Sequence, residues 1–144
     1  MPVQLRWSDM DANRHLRHSA YYDFGAAVRV KYLSEQGITS EKLEELHLGP
    51  VLFREEAVFK REVKFEDQIT IDMQLLKSTP DFGRWSIRHH LVKADGTLAA
   101  IITIDAAWID LVKRKLAVPP QSIQATFESF PKSPEFQFII PEKK

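Results

Sequence analysis

The residues that could do chemistry are concentrated in one short stretch, from Asp9 to His18. It reads Asp-Met-Asp-Ala-Asn-Arg-His-Leu-Arg-His and holds two carboxylates, an amide and two imidazoles. Carboxylates and imidazoles are common general acids and bases, and a carboxylate can also be a nucleophile. Because Asp11 shortly precedes a predicted helix, the free N–H groups of that helix could hold an oxyanion while Asp11 attacks or activates water. Alternatively, Asp9, Asp11 and Asn13 are turn and capping residues that satisfy the loop backbone.

Several other kinds of chemistry have no matching motif in the sequence. The five glycines are isolated, so neither a phosphate-binding loop nor a dinucleotide fingerprint can be written. There is no Gly-x-Ser-x-Gly elbow and no His-Glu-x-x-His pattern. His15, His18 and Asp11 could be arranged as metal ligands, but two histidines three positions apart in a loop are weak support for a metal site. We therefore expect no metal and no cofactor.

A helix from Ala20 to Gln36 should follow the polar stretch. Ser19 is a candidate N-cap, and Gly37 stands where a left-handed C-terminal cap is expected. Apolar residues lie on most sides of this helix, which predicts a core helix wrapped by other structure. Gly25 in its interior costs stability, and the close approach of a sheet would explain it.

The remaining pattern predicts an α+β fold in one domain, residues 1–144. A strand is expected at Val3–Trp7, and a short helix capped by Thr39 or Ser40 runs to Leu46. Period-two alternation predicts four antiparallel strands, at residues 51–63, 69–75, 85–91 and 97–111, the last of them central in the sheet. Asp95-Gly96 predicts a hairpin turn. Pro119-Pro120 should open a helix to about residue 129, and residues 130–144 are expected to form an arm.

Composition excludes several classes of partner. Lys and Arg together number 20, as do Asp and Glu, so no broad basic field attracts nucleic acid or an anionic membrane. The absence of cysteine removes thiol nucleophiles and disulfides. The N-terminus has no hydrophobic run, and the longest apolar run, Leu98-Ala-Ala-Ile-Ile, is far too short for a membrane span. We expect a soluble cytoplasmic protein.

The stretch Arg6-Trp-Ser-Asp-Met-Asp-Ala-Asn-Arg-His-Leu-Arg-His-Ser-Ala-Tyr-Tyr resembles the N-terminal signature of hotdog-fold acyl-CoA thioesterases. These include the hydroxybenzoyl-CoA thioesterase group and the related acyl-carrier-protein thioesterases with an Asp-x-Asn-x-His motif. The predicted element order matches over roughly residues 1–115. The resemblance implies a long central helix wrapped by a curved antiparallel sheet of about five strands. It also implies a homodimer or a dimer of dimers, with each active site drawing on two subunits.

The resemblance implies roles for individual residues. Asp11 falls on the catalytic carboxylate, which acts as nucleophile or as general base towards water. Asn13 and His15 match the amide and imidazole of the motif, and the backbone N–H near His18 matches the oxyanion donor. Arg17 and His18 depart from the pattern, since many relatives carry Asn there, but a backbone donor survives that change. The implied function is hydrolysis of an acyl-CoA to acid and free CoA, and the alternative is a non-catalytic acyl-CoA or acyl-carrier-protein binding protein.

Three further residues are expected to contact substrate. Tyr21 lies at the start of the long helix beside the motif. Lys77 and Arg84 flank the predicted turn at residues 79–83 and could contact CoA phosphates, although each could equally belong to a solvated turn.

Two polar residues fall on apolar strand faces. Glu55 could line a pocket at a dimer interface as a second acid, it could form a salt bridge, or a β-bulge near residues 54–56 could turn it to solvent. His89 points with apolar neighbours and is expected to be a core histidine with satisfied hydrogen bonds.

Overall fold

The structure is a computed structural model that describes residues 1–140. Three α-helices and an eight-stranded sheet form an α+β fold, as predicted. The helices are α1 (Ala20–Glu35), α2 (Ser40–Leu46) and α3 (Gln121–Glu128). The strands are β1 (Pro2–Val3), β2 (Leu48–Phe59), β3 (Ile69–Ile71), β4 (Gln74–Ser78), β5 (Arg84–Lys93), β6 (Leu98–Asp110), β7 (Lys115–Leu116) and β8 (Lys132–Phe138).

The sheet is built around β6, which pairs antiparallel with β2 on one side and with β5 on the other. The far side of β5 carries β3 at one end and β4 at the other. β1 pairs antiparallel with β3, β8 pairs parallel with β4, and β7 pairs antiparallel with the end of β6. The central position of β6 was predicted. The sheet has eight strands where about five were expected, because the strand predicted at residues 69–75 is divided into β3 and β4, and because β7 and β8 were not predicted.

The two ends of helix α1 are capped differently. At its end Gly37 has a φ of +83°, and the N–H of Ile38 donates to the carbonyl of Leu33, so the predicted left-handed cap is confirmed. The prediction that Ser19 caps the start was wrong. Ser19 already has helical dihedrals, and its hydroxyl accepts a hydrogen bond from Arg17 Nη1 at 2.6 Å instead of capping the helix.

One face of α1 packs on the sheet. Gly25 explains how closely it does so, because a Cβ there would lie 3.2 Å from Cδ2 of His89 on β5. The close approach predicted for this glycine is confirmed. The opposite face is open: Ala27 is exposed, and Val30 is 63% exposed. Within its own chain the helix is therefore packed on one side. The prediction of a helix wrapped on most sides was wrong for the single chain.

Strand β2 differs from its prediction at both ends and in the middle. It starts at Leu48 and stops at Phe59, because the next two N–H groups, those of Lys60 and Arg61, both donate to the carbonyl of Ala99. The pairing with β6 shifts by one residue between Leu52 and Arg54, so that Phe53 is a bulge residue and is 60% exposed. In the described part of the chain, β2 pairs with β6 alone, which leaves its outer edge free.

The two ends of the chain also correct the predictions. In place of a strand at Val3–Trp7, only Pro2–Val3 is strand, and one turn of 3-10 helix follows at Trp7–Asp9. Part of the expected arm is the strand β8, Lys132–Phe138, while residues 141–144 lie outside the described residues. The Asp95-Gly96 turn and the Thr39 cap of α2 are confirmed. Between residues 1 and 140, no helix is long and apolar enough to cross a membrane.

Candidate active site

The loop before α1 is a small hairpin fastened to the segment that follows β2. Met10 bridges to Leu16, and His15 bridges to Lys64 across the two segments. The N–H of Leu16 donates to the carbonyl of Val63 at 2.7 Å. These backbone contacts place the polar loop, the start of α1 and the chain after β2 side by side.

Asp11 organises the tip of this hairpin. Its Oδ1 accepts hydrogen bonds from the backbone N–H of Asn13 at 2.8 Å and of His15 at 3.1 Å. Arg14, in the turn, has a φ of +65°. The expected turn-forming role of Asp11 is therefore present. Yet its side chain is exposed, and Oδ2 accepts no hydrogen bond from any residue between 1 and 140. One oxygen holds the turn and the other is available to a ligand.

Asp9 has a different environment, two residues earlier. It is 1% exposed, and Arg6 Nη2 donates to its Oδ1 at 2.9 Å while the backbone N–H of Arg6 donates to Oδ2 at 2.9 Å. The Arg6 guanidinium, with help from Arg17, holds the pKa of this carboxyl below its usual range. Its carbonyl also accepts from the N–H of Arg17 at 2.8 Å. Asp9 therefore anchors the loop.

A cleft of about 400 Å³ opens beside the hairpin. It brings together five of the predicted site residues, which come from the loop and the first turns of α1. They are Asp11, Asn13, His15, His18 and Tyr21. The arrangement offers a carboxylate, two imidazoles, an amide and a phenol to one ligand.

Two groups in the cleft are placed by local structure. His15 Nε2 lies 3.1 Å from Glu62 Oε2, which fixes the imidazole against the chain after β2. The backbone N–H of His18, two residues before α1, has no acceptor among residues 1–140. A free N–H at the positive end of a helix dipole is a suitable donor for a developing oxyanion.

Tyr21 forms the inner wall of the cleft. It is 3% exposed, and its ring meets that of Phe59 edge-on, with 4.9 Å between the centroids. Burial raises the pKa of the phenol to about 12, and the negative charges of Asp11 and Glu62 act in the same direction. The Tyr21 hydroxyl therefore stays protonated at neutral pH and can donate a hydrogen bond.

One wall of the cleft was not predicted from the sequence. That wall is the end of β2 and the residues after it: Phe59, Lys60, Arg61 and Glu62. The period-two pattern continues through these residues and therefore predicts more strand there. The available signal was the uninterrupted charged run of residues 60–62, which is typical of a loop.

Three predicted substrate contacts do not line this cleft. Glu55 Oε2 lies 3.8 Å from Arg29 Nη2, so the salt-bridge alternative for Glu55 is the one that the structure contains. Arg84 is opposite Ala107 on β6, whereas Phe59 is opposite Ala100. Seven residues of strand separate those positions, roughly 23 Å. Lys77, on β4, and Arg84 thus stay predictions that the cleft of the same chain does not support.

A second cleft, of about 360 Å³, adjoins the first and shares Asn13 and His15 with it. Trp7 and Phe65 stand there as an exposed edge-to-face pair, with 5.6 Å between ring centroids. The cations of Arg14 and Lys64 also line it. The two clefts thus meet at Asn13 and His15, with the aromatic pair in the second of them.

A family model described as thioesterase-like superfamily matches residues 5–127. The chain belongs to this superfamily. The predicted family is thereby confirmed, and the motif that carried the resemblance lies inside the matched range. No curated protein sequence shows significant similarity to the chain.

Solved structures confirm the hotdog fold of this member of the thioesterase-like superfamily. A hypothetical protein from Staphylococcus aureus, determined in complex with CoA, is 20% identical, with a TM-score of 0.83 over 89% of this chain and 80% of that one. A 1,4-dihydroxy-2-naphthoyl-CoA thioesterase from Synechocystis is 15% identical, with a TM-score of 0.80 over 90% of this chain and 94% of that one. A gentisyl-coenzyme A thioesterase is 20% identical, with a TM-score of 0.73 over 89% and 98% of the two chains.

The described residues of this superfamily member contain no candidate metal site. Among residues 1–140, no group of three or more His, Asp or Glu side chains is arranged to hold a metal ion. The proximity of His15 to Glu62 is a two-residue contact and does not change this.

Proposed function

We propose that the protein hydrolyses the thioester of an acyl-CoA to a carboxylic acid and free CoA at the cleft of Asp11. The observation that carries the proposal is that Asp11 and His18 line the same cleft, while Asp11 Oδ2 and the backbone N–H of His18 have no hydrogen-bond partner among residues 1–140. Thioester hydrolysis needs these two groups, a nucleophile or base and an oxyanion donor. The chain has no cysteine to serve as an alternative nucleophile.

The reaction can follow either of two routes at Asp11. In one, Oδ2 attacks the carbonyl carbon, the C–S bond breaks, and water then hydrolyses the resulting anhydride. In the other, Oδ2 takes a proton from a water molecule, which attacks the carbonyl carbon directly. Both routes consume one water and release the CoA sulfur, which ends as the thiol. The His18 N–H would hold the oxyanion, and Asn13 and His15 would position the thioester.

Basic and aromatic residues of the two adjoining clefts suit the CoA part of the substrate. Lys60 and Arg61 line the Asp11 cleft and are suited to phosphate oxygens. The exposed Trp7–Phe65 pair in the adjoining cleft offers faces on which an adenine ring could stack. The CoA complex of one structural relative and the CoA thioester substrates named for two others support this class of ligand.

We also propose that two copies of the chain associate through β2. Its outer edge is unpaired in the described structure, and long unpaired edges are pairing sites for a second chain. Leu52, Phe53 and Val58 are exposed along this strand, and Val30 is exposed on the neighbouring helix. A second copy would cover these apolar side chains and close the sheet, which supports a homodimer or a dimer of dimers.

One observation favours a second candidate, a non-catalytic acyl-CoA binding protein. The two hydrogen bonds to Asp11 Oδ1 are those of a turn residue, and they need no catalytic role. In that case the cleft would bind a thioester and leave it intact.

The variant Asp11→Asn separates the two candidates. The Asn carbonyl oxygen can accept the same two backbone hydrogen bonds, so we expect a melting temperature near that of the parent. Because charge and basicity are lost, turnover of the best acyl-CoA should fall about a thousandfold or more, with acyl-CoA still bound. Asp11→Ala is the matched control, since it loses the turn bonds as well and should cost on the order of 1 kcal/mol of stability.

Thermal melting, steady-state kinetics across acyl-CoA chain lengths and equilibrium binding measure these effects. If Asp11→Asn hydrolyses its best substrate within about threefold of the parent, Asp11 is not the catalytic residue. A parent protein that binds acyl-CoA but hydrolyses none of them would favour the binding function.

A further inference from the structure

The β6–β7 hairpin, residues 110–118, stands at one end of the sheet. At Asp110, β6 pairs with β2 along one edge and with β7 along the other. The turn at residues 111–114 lies beyond the last paired position of the described sheet. Because β7 is on the far side of β6 from β2, a second copy paired along the outer edge of β2 would not pair with this hairpin.

Local hydrogen bonds fix the shape of the turn. Asp110 Oδ1 accepts from the backbone N–H groups of Val112 and Lys113, each at 2.9 Å. The N–H of Arg114 donates to the carbonyl of Asp110 at 2.8 Å, and Arg114 has a φ of +57°. The hairpin is therefore a defined element of the structure, and its side chains have fixed places on it.

The hairpin combines exposed aliphatic side chains with cations. Residues 111–118 read Leu-Val-Lys-Arg-Lys-Leu-Ala-Val, with three positive charges and no negative one. The three cations are exposed, and none of them pairs with a carboxylate among residues 1–140. Four aliphatic residues are between 41% and 70% exposed: Leu111, Val112, Leu116 and Val118. Exposed apolar patches with a polar rim are typical of contact surfaces for proteins or membranes.

The same surface continues onto the start of β5. Residues 116–118 line a cleft of about 160 Å³ together with Arg84, which is exposed. Asp81 also lines this cleft, but its Oδ1 already accepts hydrogen bonds from the Thr79 hydroxyl and the N–H of Gly83. A fourth cation thus lies beside the aliphatic side chains of the hairpin.

We propose that the β6–β7 hairpin binds the surface of an anionic lipid bilayer. Its aliphatic side chains enter the boundary between headgroups and acyl chains, and Lys113, Arg114 and Lys115 lie among the lipid phosphates. The chain as a whole has no net charge, so the attraction is local to the hairpin. The inference does not rest on acyl-CoA hydrolysis.

Two features of the hairpin favour a lipid surface over a nucleic acid or an acidic protein. The phosphates of a nucleic acid would satisfy the cations but would leave the aliphatic side chains in water. A turn at the end of a sheet is convex, so an acidic protein would need a cavity of matching shape. A fluid bilayer accepts both kinds of side chain and adapts to a convex surface.

Vesicle flotation measures the proposed binding with the full chain. We expect the protein to float with vesicles of phosphatidylcholine that contain about one-third phosphatidylglycerol, and not with vesicles of phosphatidylcholine alone. Raising the salt concentration from about 0.05 M to about 0.5 M should lower the partition coefficient at least tenfold, because salt screens the attraction between the cations and the lipid phosphates.

Charge variants locate the binding on the hairpin. The triple variant Lys113→Gln, Arg114→Asn and Lys115→Gln should lower the partition coefficient about fivefold for each cation lost, or about a hundredfold in all. Asparagine is chosen at position 114 because it tolerates a positive φ. The matched control loses the same three charges elsewhere and should bind within about twofold of the parent. It carries Lys31→Gln, Lys42→Gln and Lys132→Gln.

A single fluorescent label reports whether the turn enters the bilayer. The chain has no cysteine, so Val112→Cys can carry one nitrobenzoxadiazole group, whose emission should move to shorter wavelength on anionic vesicles. Ala94→Cys is the matched control, because Ala94 is exposed in the turn at the opposite end of β6, and its label should not shift. Val112→Ser, without a label, should lower the partition coefficient about tenfold, because two methyl groups are lost from the membrane-facing surface.

Defined results would overturn the proposal. Absence of flotation with anionic vesicles would refute it outright, and equal flotation of the triple variant would remove the hairpin from the contact. A label at position 112 that stays in water would refute insertion. If poly-L-glutamate binds the parent as tightly as anionic vesicles do, and the triple variant binds neither, the hairpin is a general polyanion site. Melting temperatures near that of the parent show that the variants are folded. None of these results bears on whether the Asp11 cleft hydrolyses thioesters.

Discussion

Protonation of His89 should make the protein lose stability in mild acid, and the structure gives the size of the loss. The imidazole is fully buried between α1 and the sheet. Its Nδ1 lies 2.8 Å from the carbonyl of Asp72, so Nδ1 carries the proton and donates, and Nε2 accepts from Arg29. A second proton would have to sit on Nε2, facing a guanidinium in a desolvated place. Burial lowers the pKa of His89 from 6.5 to about 4. The hydrogen bond to the Asp72 carbonyl is the next largest effect and opposes this shift, and the Arg29 charge follows and acts in the same direction as burial.

The sign of the effect follows from the two pKa values. In the unfolded chain the imidazole gains a proton as the pH falls through 6.5, whereas in the folded chain it does so only near 4. The unfolded state binds more protons in that window, so the stability contributed by the neutral imidazole is present above pH 6.5 and is lost as the pH falls towards 4. Between pH 7 and pH 4.5 the loss is about 2.5 kcal/mol. That is a large part of the ~5–15 kcal/mol typical of a domain.

His89→Gln is the variant that isolates this effect. The amide can donate to the Asp72 carbonyl and accept from Arg29 as the neutral imidazole does, but it does not titrate. Urea unfolding of both proteins at pH 7.0, 6.0, 5.0 and 4.5 measures the free energy of unfolding. We expect the parent to lose about 2 kcal/mol more than the variant over this range. The hydrogen bonds and charges around Asp9 and Asp67 hold the pKa values of these carboxyls below 3.8, so their destabilising protonation comes at lower pH.

The reasoning is refuted if the two proteins lose stability in parallel, within about 0.5 kcal/mol, from pH 7.0 to 4.5. A shared slope would mean that other groups cause the acid sensitivity. It would also mean that His89 is as easily protonated in the folded protein as in the unfolded chain.

Three further predictions concern the site and the assembly. Asn13→Ala and His15→Ala should each lower turnover of the best acyl-CoA by roughly ten- to a thousandfold, and full activity in both would refute their positioning role. Lys60→Ala and Arg61→Ala should each raise KM for acyl-CoA severalfold at low salt, with no change for an N-acetylcysteamine thioester, which lacks the phosphates. Phe53→Lys should reduce a dimer of twice 16.7 kDa to monomer in analytical ultracentrifugation, and an undisturbed dimer would move the interface away from β2.

The elements that the sequence predicted well are those with a local cause. Gly37 ends α1 because its left-handed φ is inexpensive for glycine, and Thr39 caps α2 through its own hydroxyl. The Asp95-Gly96 turn similarly depends on neighbouring residues, since Asp95 Oδ1 accepts from the N–H of Thr97 at 2.9 Å. In each case the deciding atoms lie within a few residues in the chain.

The failures have non-local causes. Strand β2 ends at Phe59 because the carbonyl of Ala99 takes two successive N–H groups, which no pattern within residues 51–63 reveals. Strand β8 exists because it pairs parallel with β4, across more than fifty residues of chain. The candidate site divides in the same way. Its loop half lies in one contiguous motif, whereas the wall at residues 60–62 becomes visible only once the strand is seen to stop.

The contrast between Asp9 and Asp11 shows how far a motif can be interpreted without its environment. The two carboxylates are two residues apart in the same loop. Because both are aspartates, residue type alone does not tell which of them reacts. The side-chain and backbone hydrogen bonds from Arg6 tie up both oxygens of Asp9 and lower the pKa of its carboxyl, against the opposing effect of burial. Asp9 is therefore a weak base and a poor nucleophile. Asp11 lines the cleft and uses one oxygen to shape the turn, while its other oxygen accepts no hydrogen bond from residues 1–140. If the protein hydrolyses thioesters, the buried carboxylate positions the loop, and the exposed one is the group that reacts.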